Sequence, residues 1–340
     1  MTVAERRSCP LCGETANRPF LSTRVRSSSG ERYRVVTCAA CSLRYTDPLP
    51  TDEELNRLYE EEYYEYAYDR PCADLATGVD GKVATWNPGR FNLQSLTLIF
   101  KAVLFAERRR ALLGRKPGRL LDIGCGNGDF LRSLKRRGWD VHGIEFSREA
   151  TELARAKGIT VHRGQLTSAA YPASFFDVVT LWHVAEHLPD PLTEFAEVRR
   201  ILRDDGLFVL EVPNSDCLTR RLCGTRWSQL DVPRHLQHFT TATLDRALAQ
   251  TGFTSERRRN FHLVDFTLAF YSFVDRLGIS RLSGIRFFST DFEPAPPRSK
   301  ILFLVLGVPI ACFCIPYSVI EALVGGNGEN LTVTAHKAAT

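Results

Sequence analysis

The chain has 340 residues, of which 44% are hydrophobic and 24% charged, and these fractions exclude an intrinsically disordered protein. The formal net charge of +5 is a modest excess, which does not by itself predict nucleic-acid binding. The first residues, Met-Thr-Val-Ala-Glu-Arg-Arg, lack the apolar core of a secretory signal peptide, and we therefore expect a cytoplasmic protein.

Two Cys-x-x-Cys pairs near the N-terminus predict a zinc ribbon over residues 1–48. Cys9 and Cys12 form the first pair, and Cys38 and Cys41 form the second. Their spacing allows two tight turns to hold four thiolates, the tetrahedral ligand set that zinc prefers in structural sites. Two disulfides are the alternative, although the remaining cysteines are scattered like the free thiols of a reducing compartment.

Residues 1–44 are rich in arginine, which leaves RNA binding open as a role for this segment. Aromatic side chains, on which bases stack, are few within it, since only Phe20 and Tyr33 are present. We therefore favour a small module that is stabilised by a bound metal ion and has no nucleic-acid partner.

Residues 49–115 are predicted to form a helical linker or lid. A helix is expected after Pro50, with Thr51 or Asp52 as its N-cap, and a second helix over residues 93–113. The tyrosines between them can line a substrate pocket or pack a lid helix on the domain. They are Tyr59, Tyr63, Tyr64, Tyr66 and Tyr68.

The most informative stretch of the chain is a glycine-rich loop after a predicted strand at residues 119–123. Gly124, Gly126 and Gly128 allow tight backbone turns and leave room for a ligand, which open α/β sheets bind at the carboxyl ends of their strands. Asp122 lies in the strand end, where it would repel a pyrophosphate. A dinucleotide site and a purely structural turn are the alternatives.

Further strands alternate with helices as far as residue 212. Glu145 lies about 20 residues beyond the glycine loop, where a carboxylate can accept hydrogen bonds from ribose hydroxyls. Strands are predicted at 141–146, 159–162, 175–182 and 206–212, with helices that begin after Ser147 and Asp190. This alternation predicts a doubly wound α/β sheet.

Histidines follow the fourth and fifth strands of this predicted sheet. His183, Glu186 and His187 come directly after the strand at 175–182, and His235 lies in the long segment 213–239. Long loops in compact domains are usually functional, and a histidine near an acceptor is a suitable general base. We therefore take His187, His235 and His183 as candidate catalytic residues, with shaping of the loop as the alternative for the 183–187 segment.

The C-terminal part contains an apolar block, at about residues 264–326, between two predicted strands at 252–263 and 329–336. Residues 301–320 carry no charge and have about the length of a membrane span. Because the two flanking strands must pair in one sheet, we expect the block to contact a membrane peripherally, on the inner face, without crossing it. A buried helix pair or a dimer surface is the alternative.

The pattern acid-x-Gly-x-Gly-x-Gly at residues 122–128, followed by Glu145, resembles class I S-adenosylmethionine (SAM) methyltransferases of type 11/23. The resemblance covers residue 118 to about 261 and the last ten residues. It implies a Rossmann-like, mostly parallel sheet with an antiparallel last strand over residues 116–340. It also implies SAM binding by a set of residues comprising Asp122, Gly124, Gly126, Gly128, Glu145 and Gln165.

The histidine segment resembles a metal site of some SAM-dependent O-methyltransferases, which have Glu-x-x-Glu-His and a later histidine. This chain has His183 in place of the first glutamate, which disfavours the oxygen-preferring ion Mg²⁺. Ligation by His183, Glu186 and His187 is left as a second possibility. The cysteine pairs also resemble those of ribosomal RNA methyltransferases and of sugar C-methyltransferases.

These features predict a methyltransferase with SAM and structural zinc as cofactors. The expected acceptor is a small molecule, lipid-linked or sugar-containing, that is methylated on oxygen or carbon. An RNA methyltransferase that binds its substrate through the ribbon is one alternative. A non-catalytic protein that binds SAM and zinc is another.

Overall fold

A computed structural model of the chain describes residues 7–26, 32–57, 104–259, 265–278, 309–310, 312–321 and 328–338. Most of the predicted linker, with all its tyrosines, and the charge-free stretch up to residue 308 therefore lie outside the described residues. Residues 104–110, 309–310 and 312–321 are helical. Thr51 is the cap of the first helix, because its hydroxyl accepts a hydrogen bond from the backbone N–H of Glu54 at 3.2 Å.

The strands and helices are defined here in chain order. The strands are β1 (Asn17–Arg26), β2 (Arg32–Cys38), β3 (Arg44–Asp47), β4 (Arg119–Ile123), β5 (Asp140–Glu145), β6 (Thr160–Arg163), β7 (Phe176–Trp182), β8 (Leu202–Pro213), β9 (Gln237–His238), β10 (Phe253–Arg259) and β11 (Asn330–Lys337). The helices are α1 (Asp52–Arg57), α2 (Asp129–Lys135), α3 (Arg148–Ala156), α4 (Pro191–Ile201), α5 (Leu218–Cys223), α6 (Thr241–Gln250) and α7 (Asp265–Arg276).

The main sheet has seven strands in the order β10-β11-β8-β7-β4-β5-β6. Strands β6, β5, β4, β7 and β8 are parallel, whereas β11 is antiparallel to both of its neighbours. This arrangement confirms the predicted doubly wound sheet with an antiparallel last strand. It also places the ends of β4, β5, β7 and β8, and the start of β11, at one edge of the sheet.

The central strands are buried on both faces, as expected for a parallel sheet covered by helices. In β4, Leu120 packs with α2 and α3 on one face, while the next residue, Leu121, packs with α4 and α6 on the other. The helix starts confirm the predicted caps. Ser147 accepts a hydrogen bond from the Ala150 N–H at 3.3 Å, and Asp190 accepts one from the Thr193 N–H at 3.2 Å.

The N-terminal segment forms a second sheet in the order β1-β2-β3-β9. Its last strand is contributed by residues 237–238, from the segment that the sequence predicted to be an irregular loop after β8. The hydrophobic cluster on the α4 and α6 side of the main sheet also contains Cys9, Leu11, Cys38 and Cys41. The N-terminal module therefore shares both a sheet and a core with the rest of the fold.

The apolar block contains α7 and the helical residues 312–321, which pack on each other through Ala269, Cys314 and Tyr317. Strand β11 follows and pairs with β10, as the sequence predicted, and it lies between β10 and β8 in the main sheet. Within the described ranges, no helix has the length and the hydropathy required to cross a membrane.

Candidate functional site

The glycine loop joins the end of β4 to α2. Gly124 has a φ of +72°, and an added Cβ would lie 2.4 Å from a methyl carbon of Val184. Gly128 has a φ of +75°, and its Cβ would lie 2.9 Å from the Cβ of Ala154 in α3. Both positions therefore require glycine for backbone conformation and for space. The contact with Val184 also places the histidine segment directly against this loop.

Glu145 ends β5 beside the glycine loop and is buried, with 6% of its surface exposed. One carboxylate oxygen accepts a hydrogen bond from the Gly126 N–H at 2.8 Å, and the other accepts one from the Ser147 N–H at 2.9 Å. Two backbone donors thus fix the orientation of the carboxylate. An ionised carboxylate has about four acceptor sites in all, which suits it to hydrogen bonds from several donors at once.

Asp122 and Gln165 occupy two different environments near this edge. Asp122 lies inside the sheet, where its carboxylate accepts a hydrogen bond from the Thr180 hydroxyl of β7 at 2.6 Å, and burial raises its pKa to about 6. Gln165 is exposed and precedes a 3-10 turn after β6. Both residues lie at the carboxyl edge that carries the glycine loop.

His183 follows β7 and bridges two buried carboxylates. Its Nδ1 lies 3.2 Å from Glu186 Oε1, and its Nε2 lies 3.2 Å from Glu211 Oε1 of β8. Burial alone would lower the pKa of His183, but the hydrogen bonds to the two glutamates raise it to about 10. His183 is therefore an imidazolium at neutral pH, with both nitrogens engaged. Its φ of +55° is uncommon for a residue other than glycine.

His187 and His235 face each other, with ring centroids 4.7 Å apart. His187 Nδ1 lies 3.0 Å from the Arg234 carbonyl, and His235 Nδ1 lies 2.8 Å from the Gln229 carbonyl. Because a carbonyl only accepts, each Nδ1 carries the proton and each Nε2 is the basic nitrogen. Burial has the largest effect on the pKa of His187, and repulsion from a protonated His235 has the next largest. Together they lower this pKa to about 4, so His187 is neutral at pH 7.

Glu186 completes this group of polar side chains. One of its carboxylate oxygens is buried without a hydrogen-bond partner among the described residues. Ligand atoms of Glu186, His187 and His235 lie within 4.8 Å of one another. Two imidazoles and one carboxylate suit a transition ion better than Mg²⁺, which prefers oxygen ligands. The structure groups His235 with Glu186 and His187, and it places His183 outside this donor set.

The four N-terminal cysteines converge in a second cluster. The Sγ atoms of Cys9 and Cys41 are 3.5 Å apart, as are those of Cys12 and Cys38. A disulfide requires about 2.05 Å between sulfurs, whereas thiolates bound to one tetrahedral zinc, each at about 2.3 Å, lie about 3.8 Å apart. All four sulfurs lie within 4.8 Å of one another, so their geometry fits a zinc ion.

Two residues with structural roles at the site were not identified from the sequence. Glu211 is the one charged residue in the predicted strand at 206–212, and this signal could have identified it. Thr46 of β3 donates a hydrogen bond to the carbonyl of His235 at 2.7 Å. No local pattern predicts this contact, because it joins residues that are 189 positions apart.

Comparisons with known proteins agree with this geometry. Residues 98–257 match the family described as a methyltransferase domain. The ubiquinone biosynthesis O-methyltransferase of Haemophilus ducreyi is 31% identical over 141 residues, which are 38% of this chain and 58% of that protein. The protein with the same name from Psychrobacter arcticus is 27% identical over 57% of this chain and 82% of its own length. The chain thus spans less than two thirds of the Haemophilus relative.

A SAM-dependent methyltransferase structure from Archaeoglobus fulgidus is 18% identical, with a TM-score of 0.46, over 72% of this chain and 100% of that one. The domain match covers the glycine loop, Glu145 and the parallel strands that carry them. Residues 98–257, a little under half of the chain, are therefore similar to the methyltransferase domain that this family describes.

Proposed function

We propose that the protein transfers the methyl group of SAM to a small acceptor. The observation that carries this proposal is the buried Glu145 carboxylate, which two backbone N–H groups hold beside the glycine loop. Such a carboxylate suits the two hydroxyls of a ribose, and the open glycine loop suits the rest of a nucleoside with an amino-acid tail. A non-catalytic scaffold would have no need for this combination.

The chain's own residues divide the work of cofactor binding. Glu145 would accept hydrogen bonds from the ribose, and Gln165, exposed at the same edge of the sheet, would contact the adenine. Gly124, Gly126 and Gly128 let the backbone approach the ligand. Asp122 contributes negative charge from inside the sheet, which favours a cationic ligand over a pyrophosphate. When bound, SAM supplies an electrophilic methyl group, so the chain has only to align the acceptor and accept its proton.

His187 and His235 are the proposed bases for that proton. Each has its Nδ1 proton fixed by a carbonyl, so Nε2 is the proton acceptor. His183 is protonated already and serves instead to balance the charge of Glu186 and Glu211. In this step an acceptor hydroxyl would lose its proton to Nε2, and bound SAM would supply the methyl group for the acceptor oxygen.

The relatives named ubiquinone biosynthesis O-methyltransferase support O-methylation of an apolar or lipid-linked acceptor. The helix at residues 312–321 supports the same substrate class, because its exposed side is apolar while its buried side includes two polar residues beside Cys314 and Tyr317. Ser318 and Glu321 point inward and are 3% exposed. Its exposed residues are apolar, as are two residues of the neighbouring α5. They are Phe313, Ile315, Val319, Ile320, Leu218 and Leu222, and we call them the apolar surface.

We propose that the apolar surface rests on a lipid membrane, next to exposed Arg221 and Arg276, which would favour anionic head groups. The active site would then open near a lipid-linked acceptor. The proposed organisation is a zinc ribbon at 1–48, a helical linker at 49–115 and the methyltransferase domain at 116–340, with its apolar insert at 264–326.

The contacts of the N-terminal module favour a structural role for it over RNA binding. Arg34 pairs with Asp47 at 2.6 Å, and Arg44 pairs with Asp216 at 2.8 Å. These arginines are thus engaged with acids of the same chain. We propose that Cys9, Cys12, Cys38 and Cys41 bind one structural zinc ion in this module.

Glu145→Ala should weaken SAM binding about 30-fold, because it removes charge-assisted hydrogen bonds worth about 2 kcal/mol in total. Isothermal titration calorimetry measures this loss. Asp140→Ala is the matched control, since Asp140 is an exposed acid at the other end of the same strand and should leave the affinity unchanged. An unaltered dissociation constant in the Glu145 variant would remove this residue from the cofactor site.

Replacing the true base, His187→Ala or His235→Ala, should lower turnover about a hundredfold or more while SAM affinity stays constant. A base acts in its neutral form. If His187 is the base, turnover should therefore stay level as the pH falls from 8 to 5 and decline only near its pKa of about 4. Normal turnover in both single variants and in the double variant would show that alignment of the reactants suffices.

One zinc ion per chain is expected in metal analysis of the purified protein. Cys38→Ser should lose the ion and make the N-terminal module sensitive to protease, because zinc binding and folding of such modules are coupled. Cys312→Ser is the control, since Cys312 is exposed on the distant insert. A wild-type protein that is metal-free and fully protease-resistant would contradict the zinc site.

The apolar surface should bind vesicles of phosphatidylcholine and phosphatidylglycerol in a flotation assay. Phe313→Asp combined with Ile320→Asp should lower the partition coefficient about tenfold or more, because two apolar side chains can no longer leave water. Leu113→Asp provides the control, since Leu113 is an exposed apolar residue outside the insert. Equal flotation of the two variants and the wild type would show that this surface does not contact lipid.

A further inference from the structure

We infer that the cysteine module is a template that holds the histidine loop of the active site in position, and that it does so through the sheet it shares with β9. The histidine loop is defined here as residues 231–238. Placing this loop beside Glu186 and His187 is a task that the main sheet does not perform by itself. The inference rests on the proposed function only where turnover is concerned.

The shared sheet gives consecutive residues of the histidine loop a partner in β3. Arg44 pairs with His238 and Tyr45 pairs with Gln237 in an antiparallel register. The Thr46 N–H donates to the carbonyl of Leu236 at 3.0 Å. The Thr46 hydroxyl donates to the carbonyl of His235 at 2.7 Å. The backbone of the loop is therefore bonded to the module up to the proposed base.

On its other side, the same loop contacts the histidine segment of the main sheet. The Leu236 N–H donates to the backbone carbonyl of Glu186 at 2.7 Å, and the Gln237 side chain donates to the carbonyl of Leu188 at 2.8 Å. The loop thus lies between β3 and residues 186–188. Its position depends on both neighbours, because its own regular structure consists of the two-residue strand β9.

Arg44 holds the beginning of the segment that leads into this loop. Its guanidinium donates to the Ser215 carbonyl at 2.6 Å, lies 2.8 Å from the Asp216 carboxylate, and stacks over Phe20 of β1 at 4.2 Å. The Ser215 N–H in turn donates to the carbonyl of Phe239. The module therefore contacts both ends of the segment between β8 and α6.

The cysteine cluster determines the position of β3. Cys38 ends β2 and Cys41 lies three residues before β3, and the Cys38 N–H donates to the Leu43 carbonyl at 2.8 Å. A zinc ion bound by these sulfurs would cross-link the β2–β3 turn to the first cysteine pair. Loss of the ion should free this turn, and with it the strand that carries Arg44 and Thr46.

Thr46 is thus a positioning residue, and its hydroxyl can be tested separately from its shape. Thr46→Val keeps the shape and leaves the buried His235 carbonyl without this donor, whereas Thr46→Ser restores the donor. Thr37→Val is the matched control, because Thr37 is a buried threonine in the adjacent strand β2, which pairs with β1 and β3.

Hydrogen exchange followed by mass spectrometry provides the first measurement. Thr46→Val should speed exchange of amides 235–238 about tenfold, and Thr46→Ser and Thr37→Val should leave it near the wild-type rate. The zinc-free Cys38→Ser variant should show the same loss of protection at 235–238, while β4 stays protected. Unchanged exchange at 235–238 in both Thr46→Val and Cys38→Ser would overturn the inference, as would an equal effect of Thr37→Val.

Turnover provides the second measurement. Thr46→Val should lower kcat about tenfold with SAM affinity and zinc content unchanged, and Thr46→Ser should restore it. The two measurements test the proposed base and the positioning of the loop separately. If His187 and His235 prove dispensable for turnover, the proposed base is wrong, yet the exchange rates still decide whether the module holds the loop. If Thr46→Val changes exchange but not kcat, the loop is held by the module and its position does not limit the reaction.

Discussion

The carboxyl edge of the sheet depends on the charge balance around His183. Glu186 and Glu211 are 1% and 3% exposed, and two buried carboxylates this close would strongly destabilise the fold without a cation between them. The imidazolium of His183 supplies that charge from a left-handed backbone conformation, with a φ of +55°. The strain of this conformation, of order 1 kcal/mol, is offset by two charged hydrogen bonds.

The cluster of His183, Glu186 and Glu211 connects neighbouring strands and orients the groups around it. Glu211 belongs to β8 and also accepts a hydrogen bond from Thr332 of β11 at 2.7 Å, so the cluster spans three adjacent strands. Glu186 presents its second oxygen toward His187 and His235. Val184, which lies between His183 and Glu186 in the sequence, contacts the glycine loop at Gly124. The cluster around His183 therefore helps to fix the distance between the glycine loop and the proposed base.

The sequence was sufficient to predict the elements that local patterns encode. Apolar runs separated by Ser147, Asp190 and glycines predicted the parallel strands and their helices, because caps and hydrophobic periodicity are local properties. The pairing of the last strand with β10 was also predicted, since these two strands flank the apolar block, whereas its pairing with β8 was not. The cysteine spacing predicted the convergence of the four sulfurs. The assignments of cofactor ligands and bases are still predictions.

The remaining features depend on contacts between distant parts of the chain. Strand β9 has two residues and no periodicity, and it exists because β3 offers an unpaired edge about 190 residues earlier in the chain. The short helix α5 lies in a segment predicted to be irregular, where Thr219 is bonded to the Glu321 carboxylate of the insert. Such pairings are not visible in any window of sequence, although the charge of Glu211 in the predicted strand 206–212 could have indicated one of them.

The histidine loop is also connected to the insert, through Gln229 and β11. The His235 ring donates to the Gln229 carbonyl, and the Gln229 side chain donates to Asn330 at 2.9 Å. Asn330 in turn donates to Asp265, the first residue of α7, at 2.8 Å. These bonds explain why Asp265, a charged residue of the insert, is only 1% exposed.

Burial also raises the pKa of Glu329, beside Asn330, to about 8, so this carboxyl is neutral at pH 7 and adds no unbalanced charge. Elsewhere in the insert, the Glu321 carboxylate accepts a hydrogen bond from the Thr219 N–H of α5 at 2.8 Å. The buried acids Asp265 and Glu321 thus bond the insert to β11 and to α5, while the exposed side of the helix at residues 312–321 is apolar.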